Sequence, residues 1–228
     1  MDKSADERRN VSVEVGEVRS SGSGVALHNL RTFKSFRIPV YRTYYGAMAG
    51  QWAVQSMLMM TNALLVYRLT GSGTIIGVVT LAQGLPQTLI ALFGGIVADR
   101  TQKKHILLFS QIFLAFIGLA FAVAFSMGYV SSERWWLLLV LAAFEGSLLG
   151  FLQPASFSII PEIVGGEQVM NAISLSSMGH TVFRLIGPSV AGFLIDAKGF
   201  PIIYYMMSGL YILGSVFAHL LPNTSPTF

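Results

Sequence analysis

Six runs of roughly twenty residues, almost free of charge and separated by short polar breaks, limit what this chain can fold into. They fall at 44–67, 74–98, 106–126, 135–157, 170–195 and 200–221. A helix rises 1.5 Å per residue, so each run is long enough to cross the ~30 Å hydrocarbon core of a bilayer. A lipid-exposed backbone must satisfy its own polar groups, and runs of this length do so as helices. Charged residues make up 11% of the chain, against roughly 25% in an ordinary soluble domain. The reading is an all-α membrane protein with six transmembrane helices. Breaks this short predict that consecutive helices pack as antiparallel neighbours.

Residues 1–43 form a separate region. Asp2, Asp6, Glu7, Glu14 and Glu17 alternate with Lys3, Arg8, Arg9 and Arg19, and Ser20 to Gly24 holds only serine and glycine. Nothing there is apolar enough to bury, so a mostly disordered tail is expected before the 44–221 membrane domain, with a short tail at 222–228. The 15 Lys and Arg against 11 Asp and Glu do not form a basic stripe interleaved with aromatics, which argues against nucleic acid as a partner. They mark topology instead. Arg31, Lys34, Arg37, Arg42, Arg100, Lys103 and Lys104 fall on one side of the membrane, and Arg68, Arg134 and Lys198 on the other. The positive-inside bias then puts the N-terminus in the cytoplasm. With no cysteine, disulfides and thiolate metal sites are excluded.

Small residues at four-residue spacing, Gly46 with Gly50 and Gly146 with Gly150, suit close helix packing, which in lipid depends on backbone approach. Polar residues inside the spans are expected to face the protein or a wet cavity. Gln51, Gln55 and Asn62 share one face of the first span, and Thr80, Gln83, Gln87 and Thr88 form a stripe on the second. These amides either line a cavity or bind helices together. The third span offers only Gln111, and the sixth carries mainly Tyr and Met, so both are expected at the periphery.

Glu145 and Arg184 are the costliest residues in the spans. Each lies roughly 15 Å from a membrane face, and an isolated charge at that depth costs at least ~2.5–3.5 kcal/mol. Equal depth and opposite charge predict that they pair. Two roles stay open: a static ion pair that fixes helix packing, and a carboxylate that takes up a proton when separated from its partner.

Gly95, Asp99, Arg100, Lys103 and Lys104, in the break after the second span, resemble the G-x-x-x-D-R-x-G-R-K signature of the major facilitator superfamily, with Gln102 where the family usually has glycine. Leu65 to Ser72, Gly94 with Gly95, Pro154 with Ala155, and Asn171 with Ala172 are similar to the macrolide-efflux and enterobactin-exporter branch. Gly187, Pro188 and Gly192 resemble the glycine-proline signature of the superfamily's antiporters. Ala142 stands where many drug antiporters carry arginine.

The resemblance implies one six-helix half of a two-half transporter in a bacterial cytoplasmic membrane. It further implies proton-coupled export of a small amphiphilic organic compound, no cofactor, and a second half or a second copy to complete the pathway. The alternative is a membrane scaffold or fragment that moves nothing. An intramembrane enzyme is disfavoured, since no H-E-x-x-H helix occurs and Ser21 to Gly24 is a linker, not a nucleophile elbow.

Overall fold

The computed structural model describes residues 35–222, with only the backbone described for 96–100. Of the tail expected over 1–43, residues 1–34 lie outside the described residues, as does the chain after 222, whereas 35–37 form a 3-10 turn and 39–43 are already helical, so the helical domain starts before the expected residue 44. Six long helices account for nearly all of the rest: α1 Pro39–Thr70, α2 Gly73–Arg100, α3 Lys103–Ser126, α4 Trp136–Ser158, α5 Val169–Lys198 and α6 Phe200–His219. A five-residue helical turn, Ile160–Val164, bridges α4 to α5.

The ends follow from local chemistry. Pro39 opens α1, where its missing N–H costs nothing. Gly71 closes it in the left-handed conformation (φ 66°), its N–H bonding the Tyr67 carbonyl at 2.8 Å. Gly199 (φ 80°) is the whole connection between α5 and α6: its N–H bonds the Ile195 carbonyl at 2.8 Å, and Pro201 follows in the first turn of α6.

Five helices, α2 to α6, are long and apolar enough to span a membrane. α1 is more polar because it carries Gln51, Ser56, Thr61 and Asn62, all of which are buried. It packs along both α5 and α6, so the most polar helix of the bundle is enclosed by two apolar ones. The six helices form one half-bundle, as the spans predict.

The neighbours differ from those that short loops predict. The extensive pairings are α2 with α4, α3 with α6, and α1 with both α5 and α6; of the consecutive helices α3 and α4 pack together as expected, whereas α1 with α2 and α2 with α3 make slight contact and α4 scarcely touches α5. A short loop joins helix ends but does not bring their lengths together. What does so is the placement of small residues. A Cβ on Gly146 would collide with the Gln83 carbonyl oxygen, and one on Gly150 would stand 2.8 Å from the Gln87 carbonyl oxygen. Gly94 approaches the Gly150 carbonyl just as closely, at 2.7 Å for an added Cβ. On α1, Gly50 faces the Leu210 backbone and Gly46 the Phe217 ring of α6. Both glycine pairs thus sit in helix interfaces.

Interhelical hydrogen bonds reinforce the seams, each worth ~0.6 kcal/mol on average in a bilayer. The Tyr204 hydroxyl donates to Asn62 Oδ1 at 2.9 Å, Ser208 to the Ala115 carbonyl at 2.8 Å, and Tyr44 to the Ser156 carbonyl at 2.9 Å. Tyr41 donates to the Ala172 carbonyl at 2.9 Å. The expectation that α3 and α6 are peripheral needs correction on one side. Phe109, Phe113, Ile212 and Leu213 are exposed, yet Gln111, Tyr204 and Tyr211 are fully enclosed.

Candidate functional site

α4 and α5 scarcely touch, and α1, α4 and α5 together line a pocket of about 230 Å3 that carries polar side chains. Gln51 and Gln55 of α1 form its floor beside Trp52; Gln153 and Ser156 of α4 form one wall, Ser177, His180 and Thr181 of α5 the other. Gln51 is 3% exposed, and its Oε1 has no hydrogen-bond partner among the described residues. A buried amide oxygen without a partner is costly, and an incoming donor would satisfy it. The Trp52 ring meets Tyr45 and His180 edge-on, at centroid distances of 5.3 and 6.4 Å. The pocket therefore offers amide and hydroxyl groups beside flat aromatic surface, a lining that orients polar substituents and tolerates apolar bulk.

Of the first-span amides, Gln51 and Gln55 reach this pocket and Asn62 does not; Asn62 serves instead as the acceptor that ties α1 to Tyr204 of α6. Gln83 and Gln87 of the second stripe are half-buried on α2, away from the pocket lining, where their backbone receives Gly146 and Gly150. The two amide stripes do not share a cavity. Thr80 and Thr88 are exposed and bond their own helix.

Glu145 and Arg184 are not paired. Glu145 is 4% exposed, turned into the bundle interior toward Leu58 of α1, Leu114, Ile117 and Gly118 of α3, and Tyr204, Met207 and Tyr211 of α6. Neither carboxylate oxygen has a hydrogen-bond partner among the described residues, and the Tyr211 hydroxyl also lacks one. The space among them is about 20 Å3, enough for one water. Arg184 is exposed on α5, three residues beyond Thr181 and four beyond His180, on the stripe that walls the polar pocket. Counting along two helices says nothing of how each is rotated.

The remaining motif residues divide between packing and anchoring. A Cβ on Gly187 would strike the Ser56 side chain, and one on Gly179 would strike Tyr45 and Trp52, so α5 approaches α1 at glycine. Pro188 is half-buried inside α5, and Gly192 faces the Met60 methyl at 3.3 Å for an added Cβ. Gly95 is half-buried near the end of α2. The Asp99 and Arg100 side chains lie outside the described ones. Lys103 is buried and bonds Glu162 in the turn after α4, while Lys104 is partly exposed. Sequence reasoning missed the α5 wall, although Ser177, Thr181 and Arg184 already repeat at helical spacing, and it missed both tyrosines around Glu145, which only α6 packing brings there.

Residues 45–227 match the family model described as Major Facilitator Superfamily. The chain belongs to this superfamily. Three relatives show how the likeness is distributed. The uncharacterized MFS-type transporter YfiS of Bacillus subtilis (strain 168) is 26% identical over 195 residues, 81% of this chain and 44% of YfiS. Macrolide efflux protein A of Streptococcus pyogenes is 26% identical over 152 residues, 63% of this chain and 36% of that protein. Human monocarboxylate transporter 11 is 32% identical over 119 residues, 51% and 25% respectively. The chain thus spans less than half the length of each relative. As a superfamily member it is a multi-pass membrane protein of a transporter family.

Proposed function

We propose that this chain forms one wall of an export pathway for small amphiphilic organic compounds in a bacterial cytoplasmic membrane, with its N-terminus in the cytoplasm. The observation that carries the reading is the polar pocket between α4 and α5, with an unsatisfied Gln51 oxygen, in an otherwise apolar bundle. The likeness to macrolide efflux protein A supports export as its direction. Arg184, at mid-depth on the pocket stripe and exposed, is costly against lipid, which supports closure of the pocket by a second six-helix half or a second copy of the chain.

Coupling to protons rests on Glu145. An isolated buried carboxylate is expensive, so in this reading it is carried as the neutral acid and gives up its proton when the bundle opens. The signature Asp99, Arg100, Lys103 and Lys104 acts at the cytoplasmic face, with Lys103 tied to Glu162.

Trp52 in the pocket wall provides the test. The purified chain is titrated in lipid nanodiscs with a fluorescence-silent amphiphilic amine, and emission is followed in a chain whose Trp135 and Trp136 are phenylalanine. Saturable quenching that Gln51→Leu or Gln55→Leu weakens supports the pocket as the binding surface. Linear quenching, identical in those variants, refutes it. In vesicles, pathway activity driven by a proton gradient and lost in Glu145→Leu supports the coupling role.

A further inference from the structure

The outward surface of α3 is not evenly convex. Two adjoining grooves, of about 480 and 250 Å3, share Phe116, Ala120 and Ala124 along a common ridge. One runs from that ridge to Met127 and Tyr129; the other lies between α3 and α4, bounded by Leu137, Val140 and Phe144. Their linings are almost wholly apolar. From Phe116 to Met127 the ridge extends roughly 16 Å at 1.5 Å per residue, about half of a ~30 Å hydrocarbon core. The groove that reaches Met127 therefore has about the length of one leaflet, and the other, from Phe116 to Ala124, runs roughly 12 Å beside it.

The open end of both grooves is chemically different. Tyr129 lines the first groove there, and Trp135 and Trp136 follow Arg134 in the chain at the start of α4, residue types that mark the headgroup level of a membrane. Arg134 sits over the Tyr129 ring, 5.7 Å from guanidinium carbon to centroid, with Glu133 beside it; both charged residues are exposed. α4 continues directly from a short 3-10 turn, Ser132–Arg134, which carries both charged residues, and the Leu138 N–H of its first turn is already bonded to the Trp135 carbonyl at 3.0 Å, so the cation at this level is the Arg134 side chain.

We propose that this face is a binding site for one diacyl phospholipid. The phosphate meets the Arg134 guanidinium. The two acyl chains lie on either side of the Ala120 and Ala124 ridge, one in each groove. Glu133 next to Arg134 favours a headgroup that carries a cation as well as a phosphate, so a phosphatidylethanolamine matches better than an anionic lipid. A single-chain amphiphile leaves one groove empty, and a lipid without phosphate leaves Arg134 without its anion. The site is on the opposite side of α4 from the polar pocket, and it stands whether or not the export reading is correct.

Native mass spectrometry of the full chain, delipidated in detergent, tests the site with three probes: dioleoyl phosphatidylethanolamine, the corresponding lyso lipid and dioleoylglycerol. The expected result is one retained phosphatidylethanolamine, with the other two bound about ten-fold more weakly. Arg134→Gln should lower the phosphatidylethanolamine affinity about ten-fold. Ala120→Phe, at an exposed position, should remove the adduct without changing the thermal unfolding midpoint. Equal binding of all three probes, or an adduct that survives both substitutions unchanged, would overturn the proposal and leave only ordinary lipid solvation of this face.

Discussion

Replacing Glu145 with leucine should make the protein more stable. The side chain is 4% exposed, both carboxylate oxygens lack partners among the described residues, and its surroundings are leucine, isoleucine, methionine and two tyrosine rings. Leaving a buried polar group unsatisfied costs about 1–3 kcal/mol. Leucine is nearly isosteric with the buried part of glutamate and carries no such cost, so Glu145→Leu is expected to gain about that amount. Arg184 makes no contact with Glu145, so Arg184→Gln should have the same effect in either background. The double-mutant coupling should lie within ~0.5 kcal/mol of zero, as for independent sites. Reversible unfolding of the detergent-solubilised chain in mixed micelles, followed by tryptophan fluorescence, measures all four corners of the cycle. Loss of stability by several kcal/mol in Glu145→Leu, recovered when Arg184 is also removed, would restore the ion pair and refute the reasoning.

Other outcomes follow from the seams and ends of the bundle. Gly146→Leu should destabilise the fold more than Gly77→Leu, because a Cβ at 146 meets the Gln83 carbonyl whereas nothing lies within 4 Å at 77; the same unfolding assay compares them. Tyr204→Phe, which removes the donor to Asn62, should cost ~0.6–1.7 kcal/mol. Cysteines placed at Lys104 and Lys198 of this cysteine-free chain should differ in intact cells, with only position 198 reached by an impermeant maleimide. Labelling of 104 alone would invert the topology.

Six helices, their limits to within about five residues, and the glycine pairs at 46 and 50 and at 146 and 150 were legible because length, hydropathy and residue size act locally. Rotation was not. Gln51 and Asn62 share a face of α1, yet one opens on the pocket lined by α4 and α5 and the other meets Tyr204 of α6, a difference that spacing along α1 alone does not carry. Glu145 and Arg184, expected to pair, face different surroundings, one the bundle interior and the other the exposed side of α5. Pairing of α2 with α4 and of α3 with α6 was illegible from loop length, which constrains only where helices end. The glycines at 146 and 150 held that information, but their partner could be named only once Gln83 and Gln87 were seen against them.

Residues 145 and 146 are consecutive, so they point about 100° apart around α4. One is an acid in a closed cavity, the other a missing side chain keyed against a neighbouring carbonyl. Such a key stops α4 from turning about its own axis, because any rotation drives a Cβ-bearing neighbour of Gly146 into the backbone of α2. The acid therefore cannot be presented to water by a swivelling helix. It can be reached only if α2 and α4 tilt together as a single beam away from the α3 and α6 pair, or if water is admitted between them.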